Sequence, residues 1–290
     1  MHSVEYGLEQ TRHPWPLLIA RLAVMREPRG RPEAIVRPNA ARQAFVVERI
    51  EPTAALKPFI DYYWLVRWQV PVSHKQQVVP QPRVHIAAEK GRLLIHGVSR
   101  TPFFRTLTGT GHVLGAAFHA GGFRPFYGSS VGSISGAVRP AGEVLGIDDR
   151  DAAGRILQSD DSGTMVNALE TYLLAAGPCP DPVGTQVTEL VAIAQRRTDI
   201  TRVELLAEVA GMNLRSLQRL FTEYVGVGPK WVIQRFRILD AVAAAHADAP
   251  TDWAALASEL GFSDQAHLTR VFTHVIGTPP ASYRRDPGTV

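Results

Sequence analysis

Apolar positions change period once along this chain. Between Phe45 and Phe118 they fall in short β-prone runs broken by Gly, Pro and His: Phe45–Ile50, Tyr62–Val70, Gln77–Val79, Val84–Ala88, Leu93–Gly97, Phe103–Leu107 and His112–Phe118. Many short strands at close spacing predict a small sandwich or barrel. Leu56 to Tyr63 also has helical spacing, which leaves the start of the second strand open. Helical stretches are predicted at Gly122–Tyr127, Ala141–Leu145, Asp151–Leu157 and Ser162–Ala176, followed by a Pro-rich linker, Gly177–Gly184.

From Val203 onward the period is helical. Val203, Leu206 and Ala210 share one face, Gly211 supplies a turn position tolerant of positive φ, and Asn213 can cap a second helix. That helix is expected to bury Leu214, Leu217, Phe221 and Val225, leaving Arg215, Ser216, Gln218, Arg219 and Thr222 outward. The scheme recurs from Asp252 to Phe272: an apolar helix, Gly261 at the turn, Ser263 as cap, and a helix burying Leu268, Phe272 and Val275. Its outward face is Gln265, His267, Thr269 and Arg270, again without aliphatic residues. One such corner can be a plain structural hairpin; two matched corners point to paired helix-turn-helix units. Between them Gly228-Pro229 opens a long helix running to about Ala247, with Val232, Phe236, Leu239 and Ala243 on one stripe. Its roughly 18 residues span about 27 Å, close to the ~34 Å between successive major-groove faces.

Several motifs here are specific. Gln218-Arg219-x-Phe221, Gly226-x-Gly228-Pro229, Arg237-Ile238-x-x-Ala241, Gly261-Phe262-Ser263-Asp264-Gln265, Thr269-Arg270-x-Phe272 and Gly277-Thr278-Pro279-Pro280-x-x-Tyr283-Arg284 together resemble the DNA-binding domain of the AraC/XylS family of bacterial transcription regulators. Leu268 departs from that pattern, which usually has an aromatic there, and Asn213 stands where Ser is frequent. The resemblance implies that Arg215, Gln218 and Arg219, and then Gln265, His267, Thr269 and Arg270, face bases or backbone. Chemically, Arg219 and Arg270 can fork onto guanine O6 and N7, and Gln218 and Gln265 can pair with adenine N6 and N7. Lys230 and the caps Asn213 and Ser263 suit phosphates. The alternative for Arg219 and Arg270 is an internal ion pair, for instance with Glu208 or Glu259.

The N-terminal half resembles something as well. Pro52-x-x-x-Leu56-x-Pro58-Phe59-Ile60-x-x-Tyr63-Trp64, Val79-Pro80-x-x-Arg83-Val84 and Gly115-Ala116-Ala117-Phe118-x-x-Gly121-Gly122-Phe123 look like a poorly characterised domain found ahead of this DNA-binding domain in many bacterial regulators. The resemblance implies a cupin-like β domain for sensing or self-association. His74, His85, His96, His112 and His119 lack the His-x-His spacing of a metal-binding cupin, so no metal, cofactor or catalytic residue is assigned. Ser129, Ser130, Ser133 and Ser135 lie in a Gly-Ser stretch without a nucleophile elbow, read as flexible loop. Tyr63, Trp64 and Trp68 can line an apolar ligand pocket or form core. Gly115 to Gly122 predicts a strand end with close backbone approach. The stripe Val166, Leu169, Leu173 and Leu174 can serve dimerisation or pack on its own domain.

Charge adds less than it first suggests. The formal net charge is +4, but Lys and Arg balance Asp and Glu over 183–290, so the position of the cations matters and not their sum. Residues 1–42, rich in Arg and Pro, read as a disordered extension or a basic arm. One cysteine, Cys179, cannot form an internal disulfide, which fits a reducing cytoplasm. Without a signal-peptide pattern or an 18-residue apolar run, a soluble intracellular protein with no membrane partner is expected.

The resulting expectation is an α+β chain of two domains, 43–176 and 185–286, joined at 177–184. It would act as a regulator that binds double-stranded promoter DNA across two major grooves, modulated by a small-molecule effector or homodimerisation and able to recruit RNA polymerase. The alternatives are a constitutive DNA-binding protein with a purely associative N-terminal domain, or a cupin-type enzyme fused to a DNA-binding module.

Overall fold

The computed structural model describes residues 45–245 and 251–284. The basic extension 1–42 and the end of the long helix near Ala247 lie outside the described residues. The N-terminal half holds six strands, β1 (Phe45–Ile50), β2 (Ile60–Val78), β3 (His85–Glu89), β4 (Arg92–His96), β5 (Phe103–Phe118) and β6 (Val138–Pro140). They form one antiparallel sheet in the order β1-β2-β5-β3-β4-β6. The sandwich or barrel inferred from strand spacing is thus an open sheet backed by helices.

Two pairs of predicted strands prove to be single long ones, because β2 and β5 pair along their whole length through an irregularity between Val70 and His74. There Gly109 takes φ 58° opposite Val70, a conformation a side chain would resist, and the ribbon turns without breaking. Of the stretch with helical spacing, Leu56 to Tyr63, residues 56–59 are turns and the rest belongs to β2. β6 went unpredicted because three residues carry no readable alternation.

One face of the sheet carries the core. Tyr63, Leu65, Ile86, Leu93, Ile95, Leu114, Ala116 and Phe118 pack against α3 (Arg150–Gln158) and α4 (Ser162–Ala175), which follow the short α1 (Arg124–Tyr127) and α2 (Ala141–Leu145). Leu169 and Leu173 of α4 are buried in this cluster and Val166 packs against it, so of the two readings of the stripe these residues follow the second, while Leu174 is exposed. On the opposite face Trp64 and Trp68 lie over Gly115 and Gly111, whose missing β-carbons leave the room the indoles occupy. Asp149, fully buried, accepts from Arg92 Nε and Nη2 at 3.0 and 2.8 Å and from Leu93 N at 2.7 Å, tying α3 to β4.

The C-terminal half is all helical: α5 (Pro182–Arg196), α6 (Val203–Ala210), α7 (Leu214–Tyr224), α8 (Pro229–Ala245), α9 (Trp253–Glu259), α10 (Gln265–Ile276) and α11 (Pro280–Arg284). α5 begins inside the stretch read as linker: Asp181 accepts from Val183 N and Pro182 sits at the first turn. Two cores flank α8. Val232, Ile233 and Phe236 join α5 to α7 on one side, and Ile238, Ala241 and Val242 join α9 and α10 on the other. α8 is therefore buried nearly all round, where the sequence suggested a single stripe. Among the described residues no helix is long and apolar enough to cross a membrane.

The halves share these cores. Val98, between β4 and β5, lies in the first helical cluster, and Val79, after β2, lies in the second. Polar seams follow the same contacts: Arg235 Nε donates to Pro80 O at 2.5 Å, Gln77 Nε2 to Ile276 O at 2.9 Å, and Ser135 Oγ to Gly226 O. The Gly-Ser stretch read as flexible is a 3₁₀ turn, Val131–Ile134, whose two apolar ends are buried against the end of α7.

Candidate nucleic-acid interface

The two helical corners close with the same hydrogen bonds. In the first, Gly211 at φ 61° ends α6, its N–H reaching Glu208 O at 3.0 Å while Met212 N reaches Ala207 O at 3.0 Å. In the second, Gly261 N donates to Ser258 O at 3.1 Å and Phe262 N to Ala257 O at 2.9 Å. Both are Schellman endings, which satisfy the last carbonyls of one helix and turn the chain toward the next.

Each following helix is capped by a side chain. Asn213 Oδ1 accepts from Ser216 N at 2.8 Å, as its type and place suggested. In the second corner the cap is Asp264, not Ser263: Asp264 Oδ1 accepts from His267 N at 2.7 Å. That amide bond, with help from Ser263 and the nearby Arg270 and His267, holds the Asp264 carboxyl below its ordinary range. A carboxylate also suits the positive end of the helix dipole better than a hydroxyl. Ser263 instead stands beside it, 3.2 Å from His267 Nδ1.

Burial then decides what each helix presents. Leu217 and Phe221 of α7 are buried, and Arg215, Gln218, Arg219 and Thr222 are exposed. Leu214, expected in the core, is 46% exposed, because the cap turns the first helical residue outward. On α10 Leu268, Phe272 and Val275 are buried, Gln265 and Arg270 are exposed, and His267 and Thr269 are half-buried. His267 packs edge-on against Phe262, with ring centroids 5.4 Å apart. Among the described residues neither Arg219 nor Arg270 forms an ion pair, so the internal pairs with Glu208 or Glu259 are absent. Gln218 folds along the chain so that its amide lies over Gly228.

Between the units runs a groove of about 500 Å³, lined by Lys230, Ser263 and His267 together with Arg202, Gln234 and Glu204. Lys230, Ser263 and His267 are thus brought together, while Arg215 and Arg219 stand on the free face of α7. Arg202 was missed by sequence reasoning. Its signal is an arginine directly before α6, at the N-cap, where Ser, Thr, Asp or Asn is usual.

The β domain does not gather Tyr63, Trp64 and Trp68 around one space. Tyr63 points to the helix side, its hydroxyl 3.1 Å from Glu170 Oε1, and the two tryptophans lie on the other face. Burial, then the Glu170 charge and that hydrogen bond, push the Tyr63 phenol far up. The histidines are dispersed. His96 Nε2 lies 3.1 Å from Glu89 Oε1, His112 bonds Ile156 O and His119 bonds Lys57 O.

Comparison with known proteins matches two separate stretches of the chain. Residues 206–286 match the family described as a helix-turn-helix domain, and residues 48–139 match the family described as a domain of unknown function, DUF6597. An uncharacterized HTH-type transcriptional regulator of Haemophilus influenzae is 30% identical over 99 residues, 34% of this chain. The chain spans about a third of that relative's length, 33%. Among solved structures, ToxT from Vibrio cholerae aligns with 83% of this chain and 98% of its own at 11% identity and a TM-score of 0.35. Unsaturated fatty acid bound wild-type ToxT from the same organism aligns with 83% of this chain and 95% of its own at 12% identity and a TM-score of 0.33. A likeness that loose does not extend to ligands. Residues 206–286 thus carry a helix-turn-helix domain, behind a region that matches a domain family of unknown function.

Proposed function

We propose that this protein is a sequence-specific DNA-binding transcription regulator that lays α7 and α10 into successive major grooves of one duplex. The observation that carries the reading is the equivalence of Arg219 and Arg270: each is the sixth residue of its helix, behind matching Schellman turns and side-chain caps, exposed and without an ion pair. Arg215, Ser216, Gln218, Gln265 and Thr269 supply the remaining contacts to bases or backbone on the two helices. Asn213, Lys230, Ser263 and His267 stand where the backbone between the two grooves passes. The role is binding and not catalysis, and RNA polymerase is the further partner that an activating version requires.

The N-terminal domain acts on this reader through contact. Val98 and Val79 lie in the two helical cores, so a change in the sheet reaches the angle between α7 and α10. The packing of Tyr63, Trp64 and Trp68 favours a version in which that domain associates with the reader, or with a second copy, over one in which those aromatics enclose an effector.

The test is selection from random double-stranded DNA by the purified full chain, with sequencing of the bound pool. A motif of two boxes about one helical turn apart is expected. A single box would overturn the two-groove reading, and an unenriched pool would overturn sequence-specific binding by the free protein.

A further inference from the structure

The loop joining β4 to β5 is held firmly against the helical half. Val98, 1% exposed, is embedded in the first helical core. Gly97 N donates to Ala137 O and Gly136 N to Val98 O, each at 3.0 Å. At the tip, Ser99 Oγ donates to Thr101 O at 2.8 Å and closes a turn around Arg100. Arg100 is exposed, and among the described residues it has no hydrogen bond or ion pair.

This turn sets Arg100 over α10. A cavity of about 330 Å³ is lined by Arg100, Arg270, His267, His274, Trp231 and Gln234, and among the described residues no carboxylate lines it. Asp264, the acidic group that Arg270 senses, is committed to capping α10. Two guanidiniums, Arg100 and Arg270, therefore share a cavity whose described lining offers them no carboxylate, which favours an anionic occupant. His267 and Gln234 also line the 500 Å³ groove that contains Lys230, so the two spaces are neighbours along α10. The adjoining groove carries Lys230 and Arg202 beside one carboxylate, Glu204, so cations outnumber anions along the path from Lys230 past His267 to Arg100, as a run of backbone phosphates requires.

We propose that Arg100 is a DNA-binding residue supplied by the N-terminal domain, gripping a backbone phosphate beside the groove that α10 reads. The proposal rests on the DNA-binding reading above. It makes the reader a product of both domains: α7 and α10 supply the base contacts, and the β4–β5 loop supplies a backbone clamp next to the second box. A guanidinium suits the task because its fork matches two phosphate oxygens at once.

The experiment measures equilibrium binding of the full chain to its selected duplex between 50 and 200 mM salt, for the wild type, Arg100→Ala, Arg100→Lys and Arg155→Ala. Arg155 is an exposed cation on α3 and controls for loss of one charge. Arg100→Ala is expected to lower affinity about five- to tenfold near 0.1 M salt and to reduce the slope of log K against log salt by about 0.9. Arg100→Lys should keep the slope, and Arg155→Ala should change neither quantity. Duplexes carrying one neutral methylphosphonate at a time then locate the contact: one linkage should weaken the wild type and cost Arg100→Ala nothing further. Wild-type affinity and slope in Arg100→Ala would overturn the clamp while leaving DNA binding intact. So would a loss shared with Arg155→Ala or tied to no linkage. Failure of the wild type to bind any duplex would overturn the DNA-binding reading itself.

Discussion

Gly121 and Gly184 meet backbone to backbone across the two halves of the protein. A β-carbon on Gly121 would lie 2.1 Å from Gly184 O, and one on Gly184 would lie 2.8 Å from Gly121 O. Gly121 N also donates to Thr188 Oγ1 at 3.1 Å, so α5 is drawn against the chain that leaves β5. Gly121→Ala is expected to force this seam apart at a cost of about 1–3 kcal/mol, typical of an overpacked contact. The checks are a lower unfolding midpoint and faster proteolysis between 177 and 181; an unchanged protein would mean the halves are not closed there.

Arg219→Ala and Arg270→Ala should each weaken binding to the selected site by about 1–3 kcal/mol while changing affinity for random DNA far less. Competition binding with both duplexes measures the difference. Equal losses on both would show that these arginines hold backbone and read no base.

Arg237 is an arginine of a different kind. Only 1% exposed, it donates from Nη1 to Arg197 O at 2.7 Å and from Nη2 to Ala194 O at 2.8 Å, and its Nε lies 3.1 Å from Asp240 Oδ2. It thereby caps the end of α5 and neutralises a buried carboxylate. Arg237→Leu should cost about 3–5 kcal/mol, because it removes the cation and leaves the anion in a dry site. Arg237→Lys should recover little, since an ammonium lacks the fork. Urea unfolding measures both, and a loss below about 1 kcal/mol for the leucine variant would contradict the structural role.

Acid should destabilise the protein before its carboxylates titrate. Burial, then the charges of Arg83 and His96, push the His85 imidazole well below its ordinary value. A depressed folded pKa means the unfolded chain binds the extra proton, so this stability is complete above about pH 6.5 and is lost as pH falls. The slope is at most about 1.4 kcal/mol per pH unit. Burial alone would raise the Glu89 pKa, but His96 and Arg105 outweigh it, so its contribution is lost only at lower pH. Thermal unfolding between pH 7 and 5 should therefore fall for the wild type and flatten for His85→Gln. Parallel curves would remove His85 as the cause.

Much of this architecture was legible because the signals are local. A glycine at the helix end followed by Asn213 dictates a turn and a cap, whatever surrounds them. β1 was read to its end residues from its run of β-prone residue types. Local signals also mislead by small steps. Ser263 and Asp264 are both good caps one residue apart, and the helix frame alone selected Asp264. Gly109 looks like a strand break and is a bend within β5, since only pairing with β2 carries the ladder past it.

By itself, then, the sequence determined the two matched corners, the helix between them and the exposed arginines at equivalent places, because 3.6-residue periodicity and capping chemistry act within a few residues. Tertiary structure decided what each charge is for. Arg219 and Arg237 are both helical arginines, yet one helix has a single core beneath it and α8 lies between two, so Arg219 reaches solvent and Arg237 is sealed in. It likewise brought Arg100 beside Arg270, residues 170 positions apart in sequence, because Val98 is buried in a core that the N-terminal domain does not own.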